Sequence, residues 1–183
     1  MSRFQIPASI DAAPAASQPL LAGVQTMLGS VPNLFRLISN SPAALEGHLG
    51  MFGALAKGAL PAPTRERIAL AVAEINGCDY CLSAHTYLGT HLAKLDDDEI
   101  AANRDGRSND AKADAAVRFA AAVAHQRGRV SSDELQAVRD AGYSDPQIIE
   151  IVQHVALNVW TNYLNNVAQT EIDFPVATAR KAA

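Results

Sequence analysis

The chain holds only two cysteines, and they stand close together in the stretch Asn76-Gly-Cys-Asp-Tyr-Cys-Leu-Ser-Ala-His85. A helix beginning near Cys78 would set Cys78, Cys81 and His85 along one face, because residues three and four apart are neighbours on a helix. Unpaired N–H groups and the positive end of the dipole at a helix start favour a thiolate, and His85 stands where it can exchange a proton with a cysteine sulfur. By that argument Cys78, nearer the terminus, is the more acidic thiol. Two adjacent thiols and a proton-transfer group can reduce a peroxide. One thiolate attacks the O–O bond and becomes a sulfenic acid, and the other condenses with it to give a disulfide and water. An external dithiol must then restore the pair. Glu66 precedes this stretch and completes a proton relay if its helix packs back through Gly77.

The same residue types allow other chemistry. Cys78, Cys81, His85 and Glu66 form a conceivable ligand set for zinc. A buried structural pair is disfavoured, since positions at a helix start tend to leave sulfur accessible. Haem attachment fails because Leu82, not histidine, follows Cys81.

Positioning these groups falls to helices. Ala, Leu and other helix formers dominate, no segment alternates as a strand does, and the fold class is all-α. Residues 1–19, with Pro7, Pro14 and Pro19, read as an extended arm able to pack on a neighbouring subunit. The helical domain covers 20–175 and a short tail 176–183. Within the domain, punctuation by Pro, Gly and capping residues predicts helices near 20–29, 32–39 and 42–57. A buried helix follows, with Thr64 as N-cap and Gly77 as stop. Further helices are expected from Asp79 to about Leu95, from Asp97 to Ala102, over 111–127, from Ser131 to near Ala141, and from Ser144 to about Gln169. The polar loop from Asn103 to Asn109 is expected to be mobile.

On the last helix His154, Asn158, Thr161 or Asn162, and Asn165 recur every three or four positions. This polar stripe suits a substrate pocket, a subunit interface, or simple solvation and pairing between helices. His154 is the candidate for substrate contact and Tyr80 for the pocket border. Trp160 and Tyr163 read as packing or interface residues.

The 183 residues suffice for one core. A net charge of −4 with interspersed signs offers no basic stripe for nucleic acid. No apolar run approaches the roughly 20 residues of a membrane span, and the N-terminus lacks a signal pattern. A cytoplasmic location is therefore expected, with no metal or other cofactor.

Glu66, Cys78-Asp-Tyr-Cys81 and His85 together resemble the active-site pattern of the alkylhydroperoxidase D and carboxymuconolactone decarboxylase superfamily. The likeness is close from Pro61 to Ala93. The segments Asn158 to Asn166 and Thr170-Glu-Ile-Asp-Phe-Pro175 are similar to its peroxidase-related branch. This resemblance implies an all-helical subunit in a trimer or hexamer, acting as a thiol peroxidase on a hydroperoxide. It implies Cys81 as the attacking cysteine, Cys78 as its resolving partner, and Glu66 and His85 as the proton relay. Recycling would come from a lipoyl-bearing or thioredoxin-like dithiol protein. Tyr80 departs from the histidine that the best-studied members carry there. A lactone decarboxylase-like acid–base enzyme, or a non-catalytic module that senses redox state or holds zinc, are the competing readings.

Overall fold

Helix punctuation in the sequence marks most boundaries in the computed structural model, which describes residues 2–180. A 3₁₀ turn over Ala15–Ser17 leads into α1 (Gln18–Leu28), α2 (Asn33–Ile38), α3 (Pro42–Ala56) and α4 (Ala62–Ile75). There follow α5 (Asp79–His91), α6 (Asp97–Arg104), α7 (Ala111–Gln126), α8 (Ser132–Asp140) and α9 (Asp145–Ala168). Among the described residues there is no strand, so the chain is all-α as expected. Met1 of the arm and residues 181–183 of the tail lie outside the described residues.

Caps account for several of the starts. Ser41 accepts from the Ala44 N–H, Asp110 from the Ala113 N–H, and Ser131 with Glu134 closes the capping box that its spacing predicts. Each such cap contributes about 1 kcal/mol. Thr64 does not cap α4, which begins two residues earlier behind Pro61 with Pro63 in its first turn. Proline fits there because the first turn has no use for its missing N–H, and Thr64 is buried instead.

α4 is the central element. Every residue from Ile68 to Ala73 is buried, and a helix that is apolar all round must have neighbours on every side. It packs against α5, α6, α7 and α9. Full burial of Ile68, Leu70 and Val72 contributes about 1.5–3 kcal/mol each. Ala116 and Ala120 on α7 are wholly buried, and their small side chains let that helix approach closely.

The N-terminal arm returns to its own chain. The Arg3 N–H donates to the Ala168 carbonyl at 2.6 Å, and the buried Ser17 hydroxyl donates to the Ser39 carbonyl at 2.7 Å. The loop expected to be mobile is tethered as well. The Glu99 carboxylate accepts from the Ser108 hydroxyl, the Asn109 N–H, the Asn103 amide and Arg67. Asn103 lies in α6 and is fully buried. Beyond α9 the chain runs without helix back across α5. Its Ile172, Phe174, Ala177 and Ala179 pack on the cluster that contains Leu70, Cys78, Cys81 and Leu82. No described helix is long and apolar enough to cross a membrane.

Candidate active site

The turn between α4 and α5 places the cysteines. Gly77 takes a left-handed conformation (φ +60°) one position beyond the C-cap Asn76. The Gly77 N–H donates to the Glu74 carbonyl at 3.1 Å and the Cys78 N–H to the Ala73 carbonyl at 3.0 Å. This paired closure stops α4 and fixes Cys78 as the N-cap of α5.

From that position Cys78 Sγ accepts from the Cys81 N–H at 3.3 Å and donates to Cys81 Sγ at 2.6 Å. Both are free thiols, and both are buried, Cys78 completely and Cys81 to within 3%. The expectation that a helix start leaves sulfur accessible is thus wrong here, because the irregular tail covers the first turn of α5. The two thiols are electrostatically unlike. Cys78 is pushed far up, first by donating its hydrogen bond to Cys81 and then by burial. Burial also pushes Cys81 up, but the Cys78 hydrogen bond, the charge of His85 and the amides of Asn165 and Asn162 reverse this, and Cys81 falls below the ordinary thiol value. The more acidic thiol is therefore Cys81. The helix-start argument that favoured Cys78 fails because a capping sulfur that donates to a second sulfur holds its own proton.

His85 lies one turn beyond Cys81, and its Nδ1 is 2.8 Å from Glu66 Oε2 on α4. Burial lowers the affinity of His85 for a proton, the adjacent Glu66 carboxylate more than restores it, and the net direction is upward. With Nδ1 given to Glu66, Nε2 is the ring nitrogen left for a further proton exchange. The four residues expected at the site are thus brought together by the α4–α5 pair.

Tyr80 lines a cleft of about 360 Å³ beside the cysteines, with Gly77, Asn165, Gln169 and Ile172 on its other walls. Its hydroxyl is engaged elsewhere, donating to Asp173 Oδ1 at 2.9 Å and accepting from the Leu34 N–H at 3.0 Å. Burial holds that phenol well above its usual range. His154 does not line this cleft. It is buried on α9 with Nε2 unpartnered, and burial, then Arg65, lowers it to about 4 against the opposing pull of Glu150 and Glu66.

The polar stripe on α9 turns inward rather than to solvent. His154, Asn158, Thr161, Asn162 and Asn165 are all buried. Asn165 Nδ2 donates to Cys81 Sγ at 3.3 Å, and Asn162 Oδ1 accepts from Asn76 Nδ2 at 2.9 Å. Periodicity exposed this stripe in the sequence; what it missed is Asn76 and the tail. Asp173 clamps both Tyr80 and the Asn33 N–H, while Ser83 exchanges hydrogen bonds with Ala177. Such single contacts from an irregular segment leave no periodic signal. Glu74 pairs with Arg104 at 2.6 Å and belongs to the scaffold. Among the described residues no three His, Cys, Asp or Glu side chains converge in a geometry that could hold a metal.

Comparison with known proteins bears on the fold that carries this arrangement. The carboxymuconolactone decarboxylase family model matches residues 42–126. An uncharacterized peroxidase-related protein from Ralstonia eutropha JMP134, described as an alkylhydroperoxidase AhpD core, is similar at TM-score 0.83 and 25% identity, over 94% of this chain and 92% of that one. An uncharacterized peroxidase-related protein from Silicibacter sp. TM1040 is similar at TM-score 0.79 and 24% identity, over 93% and 91%. The debrominase Bmp8 is similar at TM-score 0.77 and 22% identity, over 93% and 92%. These last two likenesses show the shared fold alone. No curated protein matches the chain. The family match thus spans α3 to α7, and the fold that the chain shares with the alkylhydroperoxidase AhpD core runs on through α9.

Proposed function

We propose that the chain is a thiol-dependent peroxidase that reduces hydroperoxides through a Cys78–Cys81 dithiol–disulfide cycle. The observation that carries this reading is the contact between the two sulfurs, Sγ to Sγ at 2.6 Å, next to the His85–Glu66 pair. Cys81 attacks as thiolate. Its sulfur bonds to the terminal oxygen of the hydroperoxide, the O–O bond breaks, and the departing alkoxide takes a proton from His85 to leave as the alcohol. Cys78 then attacks the Cys81 sulfenic acid, giving the disulfide and water. Glu66 orients His85 and supports its protonated form. Tyr80 borders the substrate cleft by its ring, and His154 is a neutral buried group behind the relay.

The buried disulfide needs a small dithiol or a partner whose dithiol reaches in, which suits a lipoyl-bearing or thioredoxin-like reductant in the cytoplasm. The acid–base decarboxylase reading leaves the sulfur contact without a role, and the zinc-holding reading lacks a converging ligand set among the described residues. Subunit association is part of the proposal. Ile149, Val152, Trp160, Tyr163 and Val167 are exposed on α9 at intervals of three to eight, a self-complementary apolar stripe for copies of this chain.

Steady-state consumption of an organic hydroperoxide with dihydrolipoamide as reductant tests the activity. Turnover by the wild type, with none by Cys81→Ser, is expected. Equal turnover by Cys81→Ser would refute it.

A further inference from the structure

Three polar atoms at the cysteine pair and the adjoining cleft are buried and have no hydrogen-bond partner: Asn162 Nδ2, Asn165 Oδ1 and Thr170 Oγ1. Their residues are 0%, 2% and 7% exposed. A buried polar atom left alone is costly, so two beside the Cys81 sulfur and a third at the adjoining cleft require an explanation. Asn165 links two places. Its Nδ2 donates to Cys81 Sγ, while the residue also forms a wall of the cleft that Thr170, Tyr80 and Ile172 line. The Thr170 N–H donates to the Asn165 carbonyl at 3.2 Å, which holds the two side chains in register. Asn162 is oriented from behind. Its Oδ1 is occupied by Asn76 Nδ2, so its own Nδ2 is the free end, and it acts on the Cys81 sulfur without a full hydrogen bond to the neutral thiol.

We propose that Asn162 and Asn165 form a carboxamide cradle for the Cys81 thiolate, and that Asn165 Oδ1 and Thr170 Oγ1 dock the O–O–H group of a hydroperoxide in the adjoining cleft. The assignment rests on the peroxidase reading for its substrate but not for its cradle. A thiolate accepts several donors where a thiol accepts few, so the unpartnered Asn162 Nδ2 gains its partner only when Cys81 ionises. The hydroperoxide donates its O–H to Asn165 Oδ1 and accepts from Thr170 Oγ1. This sets its terminal oxygen against a sulfur held by the other end of the same carboxamide. When sulfur bonds to that oxygen the electron pair of the O–O bond leaves on the alkoxide, which takes the His85 proton. The cradle then releases a neutral sulfenic acid. Asn162 and Asn165 Nδ2 are positioning groups; Asn165 Oδ1 and Thr170 Oγ1 touch the substrate. The cleft's apolar walls, Ile172 and the Tyr80 ring, suit a small alkyl group.

The three side chains separate in experiment. The pH dependence of Cys81 alkylation by iodoacetamide, in the Cys78→Ser background, reads the thiolate without any peroxide. The KM for tert-butyl hydroperoxide reads docking. Asn162→Leu is expected to slow alkylation near neutral pH about tenfold, a midpoint shift of about one unit, with KM unchanged. Thr170→Val is expected to raise KM about fivefold with the alkylation profile unchanged, and Asn165→Leu to do both. Should a leucine variant fail to fold, Asn165→Asp keeps the shape and is expected to shift the alkylation midpoint upward still further. Unchanged alkylation profiles in folded Asn162 and Asn165 variants overturn the cradle whether or not the protein reduces peroxides. An unchanged KM in Thr170→Val overturns the docking role and assigns that hydroxyl to an ordered water. Shifted profiles in a protein that consumes no peroxide keep the cradle and reject the peroxidase.

Discussion

Glu66 Oε2 and His85 Nδ1 meet at 2.8 Å across nineteen positions of sequence, each side chain about one-fifth exposed, and this pair ties α4 to the cysteine-bearing helix. The carboxylate raises the affinity of His85 for a proton above its ordinary value of 6.5. Its effect on stability therefore has a definite sign. The stabilising contribution is complete below about pH 6.5 and fades as pH rises through the higher folded value. Replacing Glu66 with Gln should flatten that dependence in urea titrations, move the His85 limb of the pH–rate profile to lower pH, and slow peroxide attack by roughly 10²–10⁴-fold. His85→Ala should slow attack to a similar degree. Equal and mild losses in both variants would show that the pair has no part in proton transfer.

Tyr80 occupies the position where the resemblance leads one to expect a histidine, and its hydroxyl serves Asp173 and the Leu34 N–H instead. Tyr80→Phe should leave the shape of the pH–rate profile unchanged while lowering unfolding free energy by about 1–2 kcal/mol, as the tail loses its clamp. Faster cysteine alkylation should accompany it. A lost pH limb would instead assign the phenol a role in proton transfer.

Glu99 is buried at the base of the loop from Asn103 to Asn109. Burial alone would raise its pKa, but hydrogen bonds from Ser108, Asn103, Asn109 and Arg67 bring it down to about 2. A depressed carboxylate stabilises the fold fully above its unfolded value of 4.5, and that contribution is lost as pH falls towards 2. Glu99→Gln should lower stability at neutral pH and remove part of the acid sensitivity between those limits. An unchanged slope of stability against pH in that window would contradict the assignment.

The exposed face of α9 carries Ile149, Val152, Trp160, Tyr163 and Val167. Trp160→Glu should convert an oligomer to a smaller species in sedimentation velocity, because burying an unpaired charge in an apolar interface is costly. A wild-type chain that sediments as a monomer at micromolar concentration would remove the interface.

Helix order, the Gly77 stop, the Ser131–Glu134 box and the grouping of Cys78, Cys81 and His85 are legible in the sequence, because each leaves a local or periodic mark, whereas Glu66 joins them only through the family resemblance. The relative acidity of the thiols is not. It depends on which sulfur donates to the other and on two asparagines some eighty residues away. Burial of the sulfurs was equally hidden. The segment that covers them is irregular and makes its contacts singly, through Asp173, Ala177 and Ala179. Thr64 misled because a threonine before an apolar run has the form of a cap, whereas the prolines upstream had already started the helix.

The most direct test is mass spectrometry of the purified protein before and after one equivalent of an organic hydroperoxide, for wild type and for each cysteine-to-serine variant. The account predicts that wild type loses the mass of two hydrogens as the disulfide closes, that Cys78→Ser gains one oxygen on Cys81, and that Cys81→Ser is unchanged. Thiols that ignore the peroxide, or an oxygen gained on Cys78 in the Cys81→Ser variant at an equal rate, would contradict it.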